Sequence, residues 1–260
     1  NNPSRTISLS ADQIRFIANR HFWIGCDQLL FIENATLPEN DFSYRIFNAD
    51  GGEVEQCGNG ARCFARYVHD RGLTDKISIS METLGGVITA HLEDNNQVRL
   101  DMGIPVFEPA KIPFSAEAEA NTYALEVDNH THTISAVSIG NPHAVLLVDD
   151  VDSAPVATSG LAIQQHSRFP QRVNVGFMQI IDRNHIRLRV FERGAGETQA
   201  CGTGACAAVI TGIRSGLLEN NVQVSLQGGD LLINWNQGND NKNVWLTGPT
   251  THVFEGVIEL

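Results

Sequence analysis

The chain has no basic run, no long apolar segment and no CxxC pair, and each absence removes a class of function. Its net charge of −12 over 260 residues repels phosphate backbones and anionic membrane surfaces, so neither nucleic acid nor membrane is expected as a partner. No apolar stretch approaches the roughly 20 residues that a bilayer-spanning helix needs, and nothing resembles a secretory leader. Five cysteines is an odd number, and without CxxC spacing the usual zinc and thioredoxin signatures are missing. His130-Thr131-His132 offers two metal ligands without a third, so a polar hairpin is expected there and no metal. Reduced thiols and a cytoplasmic location are the simplest reading. Hydrophobic residues at 42% suit a well-cored globular chain.

What is present is an internal repeat. Gly52-Glu53-Val54-Glu55-Gln56-Cys57-Gly58-Asn59-Gly60-Ala61 and Gly196-Glu197-Thr198-Gln199-Ala200-Cys201-Gly202-Thr203-Gly204-Ala205 share the pattern G-E-x-x-x-C-G-x-G-A, with their cysteines 144 residues apart. Gly72-Leu73 and Gly216-Leu217 continue the same register. Two half-chains of similar architecture follow, each with one cysteine in an equivalent place.

Each motif leads into a helical pattern, Ala61–Arg71 and Ala205–Ser215, closed by Gly72 and Gly216 as C-terminal stops. A third helix is expected over Ala11–Arg20, with Ser10 as N-cap and Gln13 three residues on. Strands are expected at Phe42–Phe47, Ile77–Met81, Gly86–Leu92, Val98–Met102, Ala136–Ser138, Ala144–Val148, Val173–Ile180, His185–Phe191, Val222–Leu226 and Val244–Thr247. Strands predominate with one central helix per half, which predicts an α+β protein of two pseudo-symmetric domains. Ser115–Asn121 lacks strand character and is the expected boundary: residues 1–115 with 249–260 form one domain, and 116–248 the other.

A cysteine followed by Gly-x-Gly at a helix start unites three properties. The helix N-terminus presents unsatisfied N–H groups and partial positive charge, which favours thiolate. The glycines allow close approach of a bound anion, so the same N–H groups can hold a carboxylate. One such site suits a nucleophile, a redox thiol or an anion pocket. Two of them on matching halves suit stereoinversion, in which one thiolate takes a proton from one face of a carbon and the other thiol delivers a proton to the opposite face. Cys26, Cys63 and Cys206 lack that glycine context and are expected to be small buried hydrophobes.

Longer stretches resemble the diaminopimelate epimerase family. They are Asn48–Cys63 around the first cysteine, Glu192–Ala205 around the second, Gly140-Asn141-Pro142-His143, Arg172-Val173-Asn174, Asp27-Gln28-Leu29 and Thr247-Gly248-Pro249. The resemblance covers nearly the whole chain. It implies two domains, each a barrel-like sheet around a central helix, and epimerisation of LL- to meso-2,6-diaminoheptanedioate without pyridoxal phosphate or any other cofactor. It also implies a homodimer. Cys57 and Cys201 match the acid/base pair, and Gly58, Asn59, Gly202 and Thr203 match donors to the reacting carboxylate. Asn48, Asn141, Asn174, Glu192 and Arg193 match positions that hold the substrate, and Gln28 matches one near the thiols. His143 and Glu192 resemble residues that tune the thiols.

Blander roles stand beside these. Asn141 before Pro142 equally suits a turn, and Glu192 with Arg193 an exposed ion pair. A related racemase acting on proline or hydroxyproline, a non-catalytic binding protein of the same fold and a thiol-redox protein are the alternatives. The family usually opens with a strand bearing His-Gly-x-Gly-Asn-Asp-Phe, and this sequence starts after it, which implies impaired activity for the chain as written. Trp23 stands where relatives carry a small residue, so its indole is expected to reshape the cleft entrance or to fill space left by a changed neighbour.

Overall fold

The computed structural model describes residues 7–55, 57–238 and 242–259; the motif residue Gln56 lies outside them. The chain divides into two compact units, 1–101 with 248–260, and 102–247. Phe114, at the edge of the Ser115–Asn121 stretch, is buried in the core of the second unit.

The first unit opens with α1 (Ala11–Ala18), shorter at its C-terminus than the expected Ala11–Arg20. Its capping box is complete: Ser10 accepts from the Gln13 amide while the Gln13 side chain returns to the Ser10 N–H, which satisfies two otherwise orphaned donors. Strands β1 (Gln28–Asn34), β2 (Phe42–Asn48) and β3 (Glu53–Val54) lead to α2 (Gly58–Asp70), then β4 (Ser78–Thr83), β5 (Gly86–Leu92) and β6 (Gln97–Asp101). The sheet order is β1-β2-β4-β5-β6, with β3 paired to β2. β2 and β4 are parallel, and α2 is the connection between them; all other neighbours are antiparallel. Ile14 of α1 packs on Phe31 and Phe47, and Phe64 of α2 meets the Tyr44 ring edge-on at 5.0 Å. Gly51 holds φ +89, and a Cβ there would sit 2.7 Å from the Ala11 carbonyl, so the β2–β3 turn needs glycine on both counts.

The second unit begins with β7 (Tyr123–Val127), β8 (His130–Ser138) and β9 (Pro142–Leu147). Asp128 and Asn129 turn the β7–β8 hairpin with positive φ, the conformation that a two-residue hairpin loop demands. His130 to His132 open β8. Then follow α3 (Val156–Gln164), β10 (Asn174–Asp182), β11 (His185–Glu192), β12 (Gly196–Thr198), α4 (Gly202–Arg214), β13 (Asn221–Leu226), β14 (Gly229–Asn234) and β15 (Trp245–Pro249), whose last two residues belong to the first unit. The order is β15-β14-β13-β11-β10-β9-β8-β7, with β12 on β11. Alternation along the strands sends Val137, Val145 and Met178 to the α4 side, and Ala136, Ala144 and Phe177 to the side covered by α3 and the segment around Phe114. Every residue from Gly204 to Gly212 in α4 is buried, as expected of a helix surrounded by its sheet. Each buried Val or Ile there contributes about 1.5–3 kcal/mol.

The repeat thus extends well beyond the cysteine motif. α1, β1, β2, β3, α2, β4 and β5 recur in order as α3, β10, β11, β12, α4, β13 and β14, with 58–70 and 202–214 in register at the motif's own offset.

Candidate active site

Each motif cysteine is the N-cap of its helix. Cys57 has φ −148 and ψ 118 ahead of α2, and Cys201 has φ −125 and ψ 109 ahead of α4. A side chain at N-cap faces the first-turn amides, a place usually filled by Ser, Thr, Asp or Asn. The Cys57 sulfur accepts from the Gly60 N–H at 3.5 Å, and the Tyr44 hydroxyl donates to the Cys57 carbonyl at 3.1 Å. Desolvation, with the sulfurs of Cys57 and Cys63 nearby, raises the Tyr44 pKa and keeps this hydroxyl protonated. Gly58 and Asn59 form the first turn. The amide oxygen of Asn59 is buried and has no hydrogen-bond partner among the described residues. Gln28 and Asn48 face each other across β1 and β2, and the Gln28 amide donates to Asn48 Oδ1 at 3.0 Å.

The second unit gathers more of the sequence-picked residues around its cysteine. Cys201 is 4% exposed, and its sulfur lies 3.6 Å from Thr203 Oγ1. Asn141 Nδ2 donates to that same hydroxyl at 3.4 Å, and His143 Nε2 meets Asn141 Oδ1 at 2.9 Å. Asn174 pairs with His143 across β10 and β9; its amide donates to the Pro142 carbonyl and accepts from the Arg193 N–H at 2.7 Å. Glu192 accepts from Thr198 at 2.5 Å, and Arg193 donates to the Gln171 carbonyl. Thus Asn141, His143, Asn174, Glu192, Arg193, Gly202 and Thr203 belong to one continuous neighbourhood, although they lie far apart in the chain.

Burial pushes the Cys201 thiol upward, and the Glu192 carboxylate adds to the shift; Thr203 opposes it. His143 moves the other way, to about 3, first through burial and then through the Arg193 charge. It is therefore a neutral imidazole at physiological pH, able to donate from one nitrogen only.

Of the other cysteines, Cys206 is buried and Cys26 half-buried, but Cys63 is exposed, which corrects its expected place in the core. α2 turns Ala61, Phe64, Ala65 and Val68 inward, and at 100° per residue position 63 falls on the opposite side. Trp23 packs against Phe16 of α1, the rings tilted by 31° with centroids 4.7 Å apart. The Tyr44 contact to the Cys57 carbonyl was not picked from sequence, where Tyr44 read only as a strand residue. Among the described residues no group of three or more His, Cys, Asp or Glu could hold a metal ion, and no helix is long and apolar enough to cross a membrane.

Solved structures define the class of fold. A phenazine biosynthesis protein of the PhzF family from Bacillus anthracis is 18% identical, with a TM-score of 0.65 over 96% of this chain and 90% of that one. A probable proline racemase from Agrobacterium radiobacter K84 is 17% identical, with a TM-score of 0.66 over 92% of this chain and 78% of that one. The chain shares their α+β, two-domain fold.

Sequence comparison is narrower. The family model for diaminopimelate epimerase matches residues 2–108 and 135–253. The diaminopimelate epimerase of Nitrosospira multiformis is 59% identical over 257 residues, 99% of this chain and 92% of that one. That of Nitrosomonas eutropha is 60% identical over 260 residues, 100% of this chain and 92% of that one. The chain belongs to the diaminopimelate epimerase family.

Proposed function

We propose that this chain epimerises LL-2,6-diaminoheptanedioate to the meso form without pyridoxal phosphate or metal, with Cys57 and Cys201 as the acid/base pair. The observation that carries this reading is the pair of N-cap cysteines on two matching helices, in a chain 59% identical to a relative named for that reaction. One sulfur, as thiolate, removes the α-proton; the other, as thiol, protonates the opposite face, and the two exchange roles in the reverse direction. The first-turn N–H groups after each cysteine, at Gly58 and Asn59 and at Gly202 and Thr203, hold the reacting carboxylate and stabilise charge that develops on it. Glu192 and Arg193, with Asn48, Asn141 and Asn174, take the distal amino-acid end, where a cation answers the carboxylate and oxygens answer the ammonium. Gln28 orients Asn48, and His143 with Glu192 tunes Cys201. The reaction belongs to the supply of lysine and peptidoglycan precursors. A cytoplasmic homodimer completes the reading, and light scattering on a sizing column tests its mass.

A racemase for proline-type substrates uses the same paired-thiol logic and needs no distal charged pocket. The test is to incubate the purified full-length protein, reduced and without added cofactor, with LL-diaminopimelate and separately with L-proline, following both by chiral chromatography. Formation of meso product from the first and none from the second is expected. Inversion of proline alone would replace this substrate assignment with the racemase one.

A further inference from the structure

We propose that His143, Asn141 and Thr203 form a directional hydrogen-bond chain that turns the Thr203 hydroxyl proton toward the Cys201 sulfur. This deepens the function proposed above and rests on it for the catalytic meaning of Cys201. Direction follows from counting donors. Asn141 Oδ1 can only accept, so the 2.9 Å contact with His143 Nε2 requires the proton on Nε2. That bond fixes the Asn141 amide with its NH2 toward Thr203, 3.4 Å away. The Thr203 oxygen, already accepting from Asn141, keeps its own proton free to donate, and the sulfur of Cys201 stands 3.6 Å from it. With the amide reversed, Thr203 would donate to Asn141 and leave the sulfur without this donor.

All three positioning residues lie in one unit, and His143 does so from a buried site, 1% exposed. Cys201 is 4% exposed, and the Glu192 carboxylate beside it disfavours a second negative charge. A donor aimed at the sulfur therefore matters most at the moment when Cys201 becomes thiolate. His143 on this account neither takes nor gives the substrate proton; it sets which way a hydroxyl two links away points.

The test reads Cys201 directly, with and without turnover. Iodoacetamide labelling at one pH, followed by peptide mass spectrometry, gives a rate for Cys201, with exposed Cys63 as internal reference. Alkylation follows the thiolate fraction. Thr203→Val should slow Cys201 labelling about tenfold, the scale of a hydrogen bond to a charged group, with kcat reduced more than KM. Thr203→Ser should restore both to within about twofold. His143→Leu should slow Cys201 labelling although the His143 hydrogen bond goes to Asn141, and His143→Gln, which keeps a donor, should recover part of the rate. Thr203→Val is conservative in shape at a half-buried site and keeps the test open if the buried His143→Leu does not fold. Wild-type Cys201 labelling in folded Thr203→Val overturns the chain. So does equal slowing in Thr203→Val and Thr203→Ser. Labelling is independent of turnover, so a protein inactive on diaminopimelate would overturn the function above and leave the chain standing or falling on its own result.

Discussion

The two halves follow one chain path but surround their cysteines differently. At the motif's offset, Asn48 corresponds to Glu192, Ala49 to Arg193, Asn59 to Thr203 and Tyr44 to Leu188. The first half carries neutral groups at these positions: Gln28 bonded to Asn48, and a tyrosine hydroxyl on the Cys57 carbonyl. The second half supplies the charge, with Glu192 and Arg193 at the end of β11 and a neutral His143 behind Asn141. A shared backbone gives each sulfur the same helix N-terminus, and residue choice at equivalent positions then makes the two ends chemically unlike. That asymmetry suits a substrate with a reacting end and a distinct distal end.

The comparison can be broken most strongly at the helix starts. An added Cβ at Gly60 would lie 2.5 Å from the Tyr44 hydroxyl, whereas at Gly204 the nearest atom is Val190 Cγ2 at 3.0 Å. Gly60→Ala should cost about 1–3 kcal/mol by overpacking, and more than Gly204→Ala, in chemical denaturation followed by a probe in each half. Equal losses would mean that Tyr44 is not the rigid neighbour it is taken to be.

A pH effect should belong to the second half. The His143 pKa falls from 6.5 to about 3. Between those values the unfolded chain holds a proton that the folded chain does not, so stability rises with pH across that window and is lost on acidification. From pH 7 to pH 5 the loss is up to about 2 kcal/mol, at about 1.4 kcal/mol per pH unit below 6.5. Urea midpoints at the two pH values should differ more for the natural protein than for His143→Gln; the same difference in both would remove His143 as the cause. The smallest effect is expected from Tyr44→Phe, about 1 kcal/mol for one hydrogen bond, with no counterpart in the other half because Leu188 has no hydroxyl to lose.

Much of this was legible in the sequence because it is local. The capping box at Ser10 and the helices after both cysteines follow from short-range rules, and the repeat itself pairs the halves. Elements without a local signature were missed. β1 reads Gln28-Leu29-Leu30-Phe31-Ile32-Glu33-Asn34, an apolar run whose period fixes neither strand nor helix. α3 is preceded by Pro155 and interrupted by Gly160, where a Cβ would strike Phe191 at 2.7 Å; its glycine is required by packing that no local pattern reveals. β7 and β14 are short strands completed by pairing with their neighbours. At the candidate site, the cysteines were readable from their glycines. The link from His143 through Asn141 to Thr203 was not, because its last step joins residues 62 positions apart, one in the turn between β8 and β9 and the other in the first turn of α4, which only the fold brings together.

The central claim is that two thiols act on opposite faces of one carbon, and its most direct test is early turnover of LL-diaminopimelate in D2O, with mass spectrometry on substrate and product separately. The account predicts one solvent deuterium in the first meso product while recovered LL substrate stays undeuterated, and loss of inversion by about 10²–10⁴-fold in either Cys57→Ala or Cys201→Ala. Deuterium entering recovered substrate as fast as product, or inversion persisting in either variant, would contradict it.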